Sequence, residues 1–204
     1  MKLLRIKQET VFVQVVYLFI LPVLLIYFGV IPANYRVIVF LVVALMLLGI
    51  IKYNKWTFHD IGIIKRWHKF FLEYLIFTVA GVLFLIWLAY LVPHEPFLYW
   101  WENKRFLLLF IPISVLQEVL FRGILLKMLL DASSNIMLVV FVNAIIFALM
   151  HVIYLNHVFI LPLTFIGGVG FAWMYIKYKN LFMISISHTV LNFTAMILGF
   201  FVVK

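Results

Sequence analysis

The sequence contains no cysteine and few charged residues of either sign. Without cysteine, the chain can form no disulfide, no thiolate metal site and no cysteine nucleophile. Only 11% of its residues are charged and 68% are hydrophobic, whereas a typical soluble domain is about 25% charged and roughly 45–50% apolar. A chain of 204 residues cannot bury so much apolar surface in one core. The composition therefore excludes a water-soluble globular domain and predicts an all-α, polytopic integral membrane protein.

Long apolar runs fill most of the chain. A helix needs about 20 apolar residues to cross the hydrocarbon core of a bilayer, which is about 30 Å thick. By this criterion the sequence predicts about seven transmembrane helices. Their predicted bounds are Val11–Ile31, Val37–Ile51, Phe70–Val92, Phe106–Leu130, Ile136–Leu155, Val158–Ile176 and Leu181–Val203. The connections are too short for a soluble domain, so any chemistry is expected inside the bilayer or at its edge.

Basic residues give the chain a net charge of +9 and lie mostly between the predicted helices. With the N-terminus inside, the cytoplasmic side would hold Lys2, Arg5, Lys7, Lys52, Lys55, Lys65, Arg66, Lys69, Lys127, Lys177 and Lys179. The outer side would hold only Arg36, Lys104, Arg105 and Lys204. Because basic residues concentrate in cytoplasmic loops, we predict a multi-pass cell-membrane protein with a cytoplasmic N-terminus. The lipid bilayer, and not nucleic acid, is the expected partner of these charges.

The chain divides into a hydrophobic front part and a more polar back part. Residues 1–105 are predicted to form N-terminal hydrophobic helices, namely three spans plus an interfacial helix over residues 52–69. In the latter, Trp56 and Trp67 recur at helical spacing, which favours a helix at headgroup depth that anchors the chain to lipid. Residues 106–204 form the last four spans. Their richness in Ile, Phe, Tyr and Lys, like that of the whole chain, is typical of an AT-rich prokaryotic genome.

Polar side chains concentrate inside the last four predicted spans. They are Ser114, Gln117, Glu118, Arg122, Asn143, His151, Thr164, Ser185, Ser187, His188 and Asn192. An ionised side chain at mid-bilayer costs about 2.5–3.5 kcal/mol even on a mild scale, so these residues are expected to face the interior of the helix bundle. A functional site, if the chain has one, is therefore expected in this half.

Some of these residues form pairs at i,i+4 spacing, which places both members on one helix face. The pairs are Glu118 with Arg122, Phe147 with His151, and His188 with Asn192. Each pair alone has a structural explanation, such as charge neutralisation or an interhelical hydrogen bond worth about 0.6 kcal/mol. Together they offer carboxylate, carboxamide and imidazole groups on three helices. This set suits hydrolysis of an acyl bond, which needs a base to activate water and donors to hold an oxyanion.

The same residues resemble the motifs of the CPBP family of intramembrane proteases. The matching segments, in order, are Gln117-Glu118-Val-Leu-Phe121-Arg122-Gly123, Phe147-x-x-x-His151 and His188-x-x-x-Asn192. The family comprises the CAAX prenyl endopeptidases and the Abi-type bacteriocin-processing or self-immunity proteins. The resemblance implies a four-helix catalytic core and endoproteolysis of a membrane-associated protein or peptide by an activated water.

Roles follow from the resemblance position by position. It assigns water activation to residue 117 with His151, and stabilisation of the oxyanion to His188 with Asn192. Structural support is assigned to Glu118, Arg122 and Phe147. The family pattern has a glutamate where this chain has Gln117, and an amide cannot accept a proton at neutral pH. The chain is therefore expected to be inactive or impaired as a protease.

Three interpretations of Gln117 stay open: a deliberate Glu→Gln substitution, a natural loss that leaves a pseudoprotease, and a transfer of the base role to Glu118. A glutamate-protease mechanism requires no cofactor. A metal-dependent one would use a divalent ion such as zinc, with His151, His188 and Glu118 as candidate ligands. The alternatives from other classes are a non-catalytic membrane scaffold and, less favoured, a proton-coupled transporter that uses the same ionisable residues as a relay.

Overall fold

The structure, a computed structural model, describes residues 8–64, 68–92, 94–154 and 156–201. Within these ranges the chain is helical and contains no β-strand. The apolar helices are α1 (Gln8–Tyr27), α2 (Ala33–Tyr53), α3 (Phe71–Leu91), α4 (Lys104–Ala132), α5 (Ile136–Leu149), α6 (His157–Tyr178) and α7 (Leu181–Ile197). Several residues used in the predictions lie outside the described ranges: Lys2, Arg5, Lys7, Lys65, Arg66, Trp67, Leu155, Val203 and Lys204.

Helix lengths agree with a membrane protein. Five of these helices are long and apolar enough to cross a membrane, whereas α5 and α7 are shorter, at 14 and 17 residues. Two helices contain a π-helical stretch, Val16–Ile20 in α1 and Val119–Leu125 in α4. The all-α membrane architecture predicted from composition is thus confirmed.

Helix α5 is shorter than the predicted fifth span. The span was expected to run from Ile136 to residue 155, but α5 ends at Leu149. The chain then turns, and the backbone N–H of His151 donates to the carbonyl of Ala148 at 2.9 Å. A bond from residue i to i−3 tightens the end of a helix and does not propagate it. His151 therefore lies on a turn between α5 and α6, not within a helix.

Helix α7 ends at Ile197, before the predicted end of the last span. Gly199 follows with φ +80°, a left-handed conformation that commonly terminates helices. A Cβ atom at this position would collide with the backbone of Glu95. The nearby carbonyl of Ile197 accepts a hydrogen bond from the N–H of Phe97 at 3.0 Å. The segment after α3 is thereby held against the end of α7.

The interfacial helix predicted over residues 52–69 is not found in the described part of this segment. Beyond the end of α2, residues 54–64 form turns. The carboxylate of Asp60 accepts hydrogen bonds from the backbone N–H and the hydroxyl of Thr57, both at 2.7 Å. Gly62 has φ +80°, which a right-handed helix cannot include. These local bonds favour a folded loop over the helix that the tryptophan spacing predicted.

The 54–64 loop covers one end of the helix bundle. Ile61 is buried, and its carbonyl oxygen would lie 3.4 Å from a Cβ atom at Gly123 in α4. The carbonyl of Gly62 accepts a hydrogen bond from the N–H of Leu181, the first residue of α7, at 2.9 Å. Trp56 packs against a buried cluster formed by α1, α2 and α4. We call this the loop-covered end of the bundle; the ends of α3 and α7 lie at the opposite end.

Close helix contacts hold the remaining core together. In α6, a Cβ atom at Gly168 would lie 3.1 Å from Cα of Ala144, so α5 and α6 approach each other through a glycine. Between α3 and α7, the hydroxyl of Thr78 donates to Oγ of Ser187 at 2.8 Å. Small residues permit such approach in membrane proteins, where packing drives helix association. These contacts join α5 to α6 and α3 to α7.

Candidate active site

A cavity of about 580 Å³ lies between α1, α2 and α4 and is completed by the turn after α5 and the end of α7. Its walls are mostly apolar side chains. Its polar lining includes two sets of residues. The inner set consists of Ser114, Gln117, His151 and Asn192. The second set lies at the end of the bundle opposite the loop-covered end and consists of Arg36, Glu95, Asn103 and Arg105. A largely apolar pocket with a few convergent polar groups is the usual form of a binding or active site.

Helix α4 contributes Gln117 to this cavity. The amide oxygen Oε1 is buried and has no hydrogen-bond partner among the described residues. Ser114, one turn earlier, accepts a hydrogen bond at its Oγ from Nδ2 of Asn192 in α7, at 3.4 Å. Asn192 is thus joined to the cavity face of α4. The arrangement places two carboxamides, of Gln117 and Asn192, on walls of the same cavity.

His151 reaches the cavity from the turn after α5. Its ring nitrogen Nδ1 lies 2.9 Å from the carbonyl oxygen of Phe147, which can only accept a hydrogen bond. Nδ1 therefore carries the proton, and in the neutral ring Nε2 keeps a free lone pair. The ring is 95% buried and packs against Phe147, Tyr154 and Phe201, with centroids 5.1–5.9 Å apart. The structure thus offers a fixed neutral imidazole with an acceptor nitrogen.

Glu118, Arg122 and His188 form a second polar cluster, behind the cavity wall. Glu118 and Arg122 are fully buried, with Nη1 of Arg122 3.4 Å from Oε1 of Glu118. Nδ1 of His188 lies 2.8 Å from the same oxygen, although its N–H direction does not point along that contact. None of the three residues lines the cavity. Gln117 and Glu118 separate in this way because consecutive residues leave a helix about 100° apart.

Aromatic rings surround the guanidinium of this cluster. The Cζ atom of Arg122 lies 4.2 Å from the ring centre of Phe147 and 5.3 Å from that of Phe171. One Nη2 bond goes to the carbonyl of Gly168 at 3.3 Å. Cation–π contacts of this kind gain about 2 kcal/mol or more when desolvated. Phe147 also contacts both imidazoles, with ring centroids 5.1 Å from His151 and 5.6 Å from His188, so its ring touches a residue of each cluster.

The π-helical stretch of α4 begins directly after Glu118. It leaves backbone carbonyls in altered positions, and that of Phe121 accepts a bond from Nδ2 of Asn143 in α5, at 3.0 Å. Asn143 is fully buried. Such π-stretches are frequent at functional sites. Here a buried amide on a neighbouring helix stabilises the stretch that carries Arg122.

The structure brings some of the sequence-predicted residues together and separates others. Gln117, His151 and Asn192 share the cavity. His188, which the resemblance paired with Asn192 at the oxyanion, faces Glu118 instead. The candidate metal ligands do not converge either, since no three His, Asp or Glu side chains among the described residues are grouped for a metal ion. Glu118 with His188 offers two donors where a catalytic zinc site has three protein ligands.

Sequence reasoning missed the residues at the other end of the cavity. Arg36 and Arg105 were assigned to outer loops only as charges that set the orientation. Nothing in the sequence relates them, because they lie on different helices and line the same cavity only through the tertiary packing of those helices. Ser114 was noted as an interior polar residue, and its position one turn before Gln117 was the signal that could have placed it in the site.

Comparison with known proteins identifies the region that carries the motifs. A family model described as Type II CAAX prenyl endopeptidase Rce1-like matches residues 98–194. No curated protein and no solved structure matches the chain. The matched region contains all three motifs, from Gln117 to Asn192, and supports an intramembrane CAAX-protease type of function with a membrane-associated protein or peptide as substrate. The resemblance drawn from the motifs is confirmed: residues 98–194 match a family model of the CPBP/CAAX-protease type.

Proposed function

We propose that the cavity is the site of an intramembrane endopeptidase in which residue 117 and His151 hold the attacking water. The observation that carries this proposal is that Gln117, His151 and Asn192, which are distant in sequence, line one cavity. Glu118 is paired with Arg122 and His188 behind the wall, which makes it a poor candidate for the base. As it stands, the chain then binds substrate and hydrolyses it slowly or not at all.

The proposed chemistry requires a glutamate at position 117. Its carboxylate would take a proton from water as the oxygen attacks the carbonyl carbon, and the proton would pass to the leaving amine as the C–N bond breaks. Nδ2 of Asn192 is a donor for the oxyanion, and His151 presents an acceptor nitrogen to the water. Gln117 cannot take the proton. Loss of general base catalysis lowers the rate about 10²–10⁴-fold.

His188 has a different part in this proposal from the one the resemblance implies. We assign it as a positioning residue, because its Nδ1 lies 2.8 Å from Glu118 and its ring packs against Phe147 and Phe171. It would act through the orientation of α4 rather than through contact with the oxyanion. In the Gln117→Glu background, His188→Asn should then lower kcat together with stability, whereas Asn192→Ala should lower kcat alone.

The decisive experiment compares processing of membrane peptides in cells carrying the Gln117 chain, its Gln117→Glu variant or an empty vector, by mass spectrometry of the new peptide termini. Gln14→Glu is a matched control, since the Oε1 of Gln14 is also buried without a described partner but the residue does not line the cavity. We expect products only with Gln117→Glu, and we expect them to disappear when His151→Ala is added. Products with the Gln117 chain would move the base to Glu118.

One observation favours the non-catalytic scaffold as a second candidate. The Oε1 atom of Gln117 is buried and unpartnered among the described residues, so it is available to accept a hydrogen bond from a peptide N–H. A pseudoprotease would use this bond to hold a membrane partner without cleaving it. Absence of products from Gln117→Glu, together with co-purification of one membrane peptide that Gln117→Ala releases, would favour the scaffold.

The orientation of the chain is also part of the proposal. Lys52, Lys55 and Lys127 lie near the loop-covered end of the bundle. The positive-inside rule then places this end, and the N-terminus, in the cytoplasm. The cavity end that carries Arg36 and Arg105 would face the other side.

A further inference from the structure

The cavity carries charge at one end only. Among its lining residues the ionised ones are Arg36, Glu95 and Arg105, and all three lie at the end opposite the 54–64 loop. The inner set is uncharged apart from the titratable ring of His151, and the rest of the lining is apolar except for the phenol of Tyr154. We call Arg36, Glu95, Asn103 and Arg105 the rim. Because the loop covers the other end, the rim is where a charged part of a ligand would be held.

The two rim arginines are available to bind an anion. Neither makes an ion pair with a described residue, and Arg36 is half-buried whereas Arg105 is exposed. A guanidinium presents a planar array of donors that matches a carboxylate with two parallel bonds. The exposed carboxylate of Glu95 offsets part of this charge, which leaves one net positive charge at the rim.

The local backbone adds to the positive potential. Arg36 begins the α-helical part of α2, and Arg105 lies in the first turn of α4. A helix N-terminus has a partial positive charge from its free N–H groups. At α4 the side chain of Asn103 already accepts one of these, the N–H of Phe106, at 2.9 Å. The arginine side chains, supported by two helix termini, therefore form a cationic opening to an apolar cavity.

We propose that the rim binds a carboxylate of the substrate and so sets the distance between that carboxylate and the bond to be cleaved. The inference rests on the proposed function. Arg105 and Gln117 are separated along α4 by about 18 Å at a rise of about 1.5 Å per residue. An extended peptide advances about 3.3 Å per residue. The carboxylate then lies about five residues from the scissile bond, with apolar residues between them.

Direct binding tests the rim without any cleavage. The Gln117 chain, in nanodiscs of zwitterionic phosphatidylcholine, is titrated with a fluorophore-labelled eight-residue peptide of Leu and Ala, and fluorescence polarisation is measured. Three forms of the peptide are compared: one with a free C-terminal carboxylate, the same peptide amidated, and an amidated peptide with a penultimate Glu. Tighter binding of both acidic peptides than of the amidated one indicates a carboxylate site. The difference in affinity between the two acidic peptides distinguishes a terminal from a side-chain carboxylate.

Rim variants give the second comparison. We expect Arg36→Gln and Arg105→Gln each to weaken binding of the acidic peptides about fivefold, the upper range for partly exposed charge pairs, and to leave the amidated peptide unchanged. Glu95→Gln should tighten binding of the acidic peptides, because it removes the negative charge of the rim. Lys104→Gln is the matched control, because Lys104 is exposed next to Arg105 but does not line the cavity.

Several results would overturn the inference. The first is equal or absent binding of the acidic and amidated peptides. The second is an effect of Lys104→Gln as large as that of Arg105→Gln. The third is loss of the preference for acidic peptides when phosphatidylglycerol is added, which would assign the rim to lipid headgroups. In the Gln117→Glu chain, cleavage should fall about five residues from the carboxylate, as the extended spacing requires. Failure of that variant to cleave would contradict the proposed function alone, since the binding experiments use the Gln117 chain.

Discussion

The buried pair of Glu118 and Arg122 allows a quantitative test of what holds α4 in place. Both side chains are fully buried, 3.4 Å apart. Removing one partner leaves an uncompensated charge in a low-dielectric interior, which costs about 3–5 kcal/mol. Arg122→Met also removes the 3.3 Å bond to Gly168 and the contact with Phe147 at 4.2 Å. We therefore expect Arg122→Met to lower the free energy of unfolding by about 4 kcal/mol.

The double variant separates charge from packing. In Glu118→Gln with Arg122→Met no charge remains, and a buried pair replaced by neutral groups of similar volume often changes stability little. The double variant should thus be more stable than Arg122→Met by about 2 kcal/mol, a coupling within the range for contacting residues. Unfolding by denaturant in micelles, followed by tryptophan fluorescence, measures the unsubstituted chain, the single variants Glu118→Gln and Arg122→Met, and the double variant. A double variant no more stable than either single one would refute the argument that the two charges neutralise each other.

Three further predictions concern packing, orientation and pH. Gly168→Ala should destabilise the chain by about 1–3 kcal/mol, since the new methyl group overpacks a contact with the α5 backbone; thermal unfolding in detergent measures this. Because the chain has no cysteine, Arg105→Cys and Lys55→Cys can be labelled singly in intact cells with a membrane-impermeant maleimide, and only Arg105→Cys should react. Hydrogen bonds from Thr57 hold the pKa of Asp60 below its usual value; the stability they give the 54–64 loop is present above that usual value and lost as the pH falls through the lowered pKa, which loop-amide hydrogen exchange at different pH values should show.

The sequence was sufficient to predict the membrane class and the helices, because both depend on composition and on the length of apolar runs. It also predicted that the polar residues of the second half point inward, since exposure of charge to lipid is costly. The i,i+4 pairs were only partly informative. Glu118 and Arg122 do lie within ion-pair distance, but His188 and Asn192 contact different partners on α4. Spacing defines a helix face, whereas the neighbour on that face is set by tertiary packing.

Other features depend on contacts that no local pattern records. The segment after α2 looks amphipathic, yet Thr57, Asp60 and Gly62 fold it into a loop that packs on α4 and α7. His151 leaves its helix because the chain turns after Leu149, and this turn brings the ring to the cavity. The rim combines residues from α2, α4 and the segment after α3. An interaction between residues a few positions apart can be predicted from the sequence, but a cavity formed by distant segments cannot.

The adjacency of Gln117 and Glu118 explains how one helix can serve two environments. A catalytic base needs access to water and substrate, whereas a charged side chain that stabilises a helix inside a membrane must be shielded from water and paired with an opposite charge. A single carboxylate cannot meet both requirements, because the ion pair that stabilises it also lowers its readiness to take a proton. Two consecutive positions, about 100° apart around α4, divide the tasks. Glu118 faces Arg122 and His188 in the interior, and position 117 faces the cavity. Changing residue 117 therefore alters the chemistry and leaves the packing intact, which is why glutamine at this position is compatible with a fully formed site.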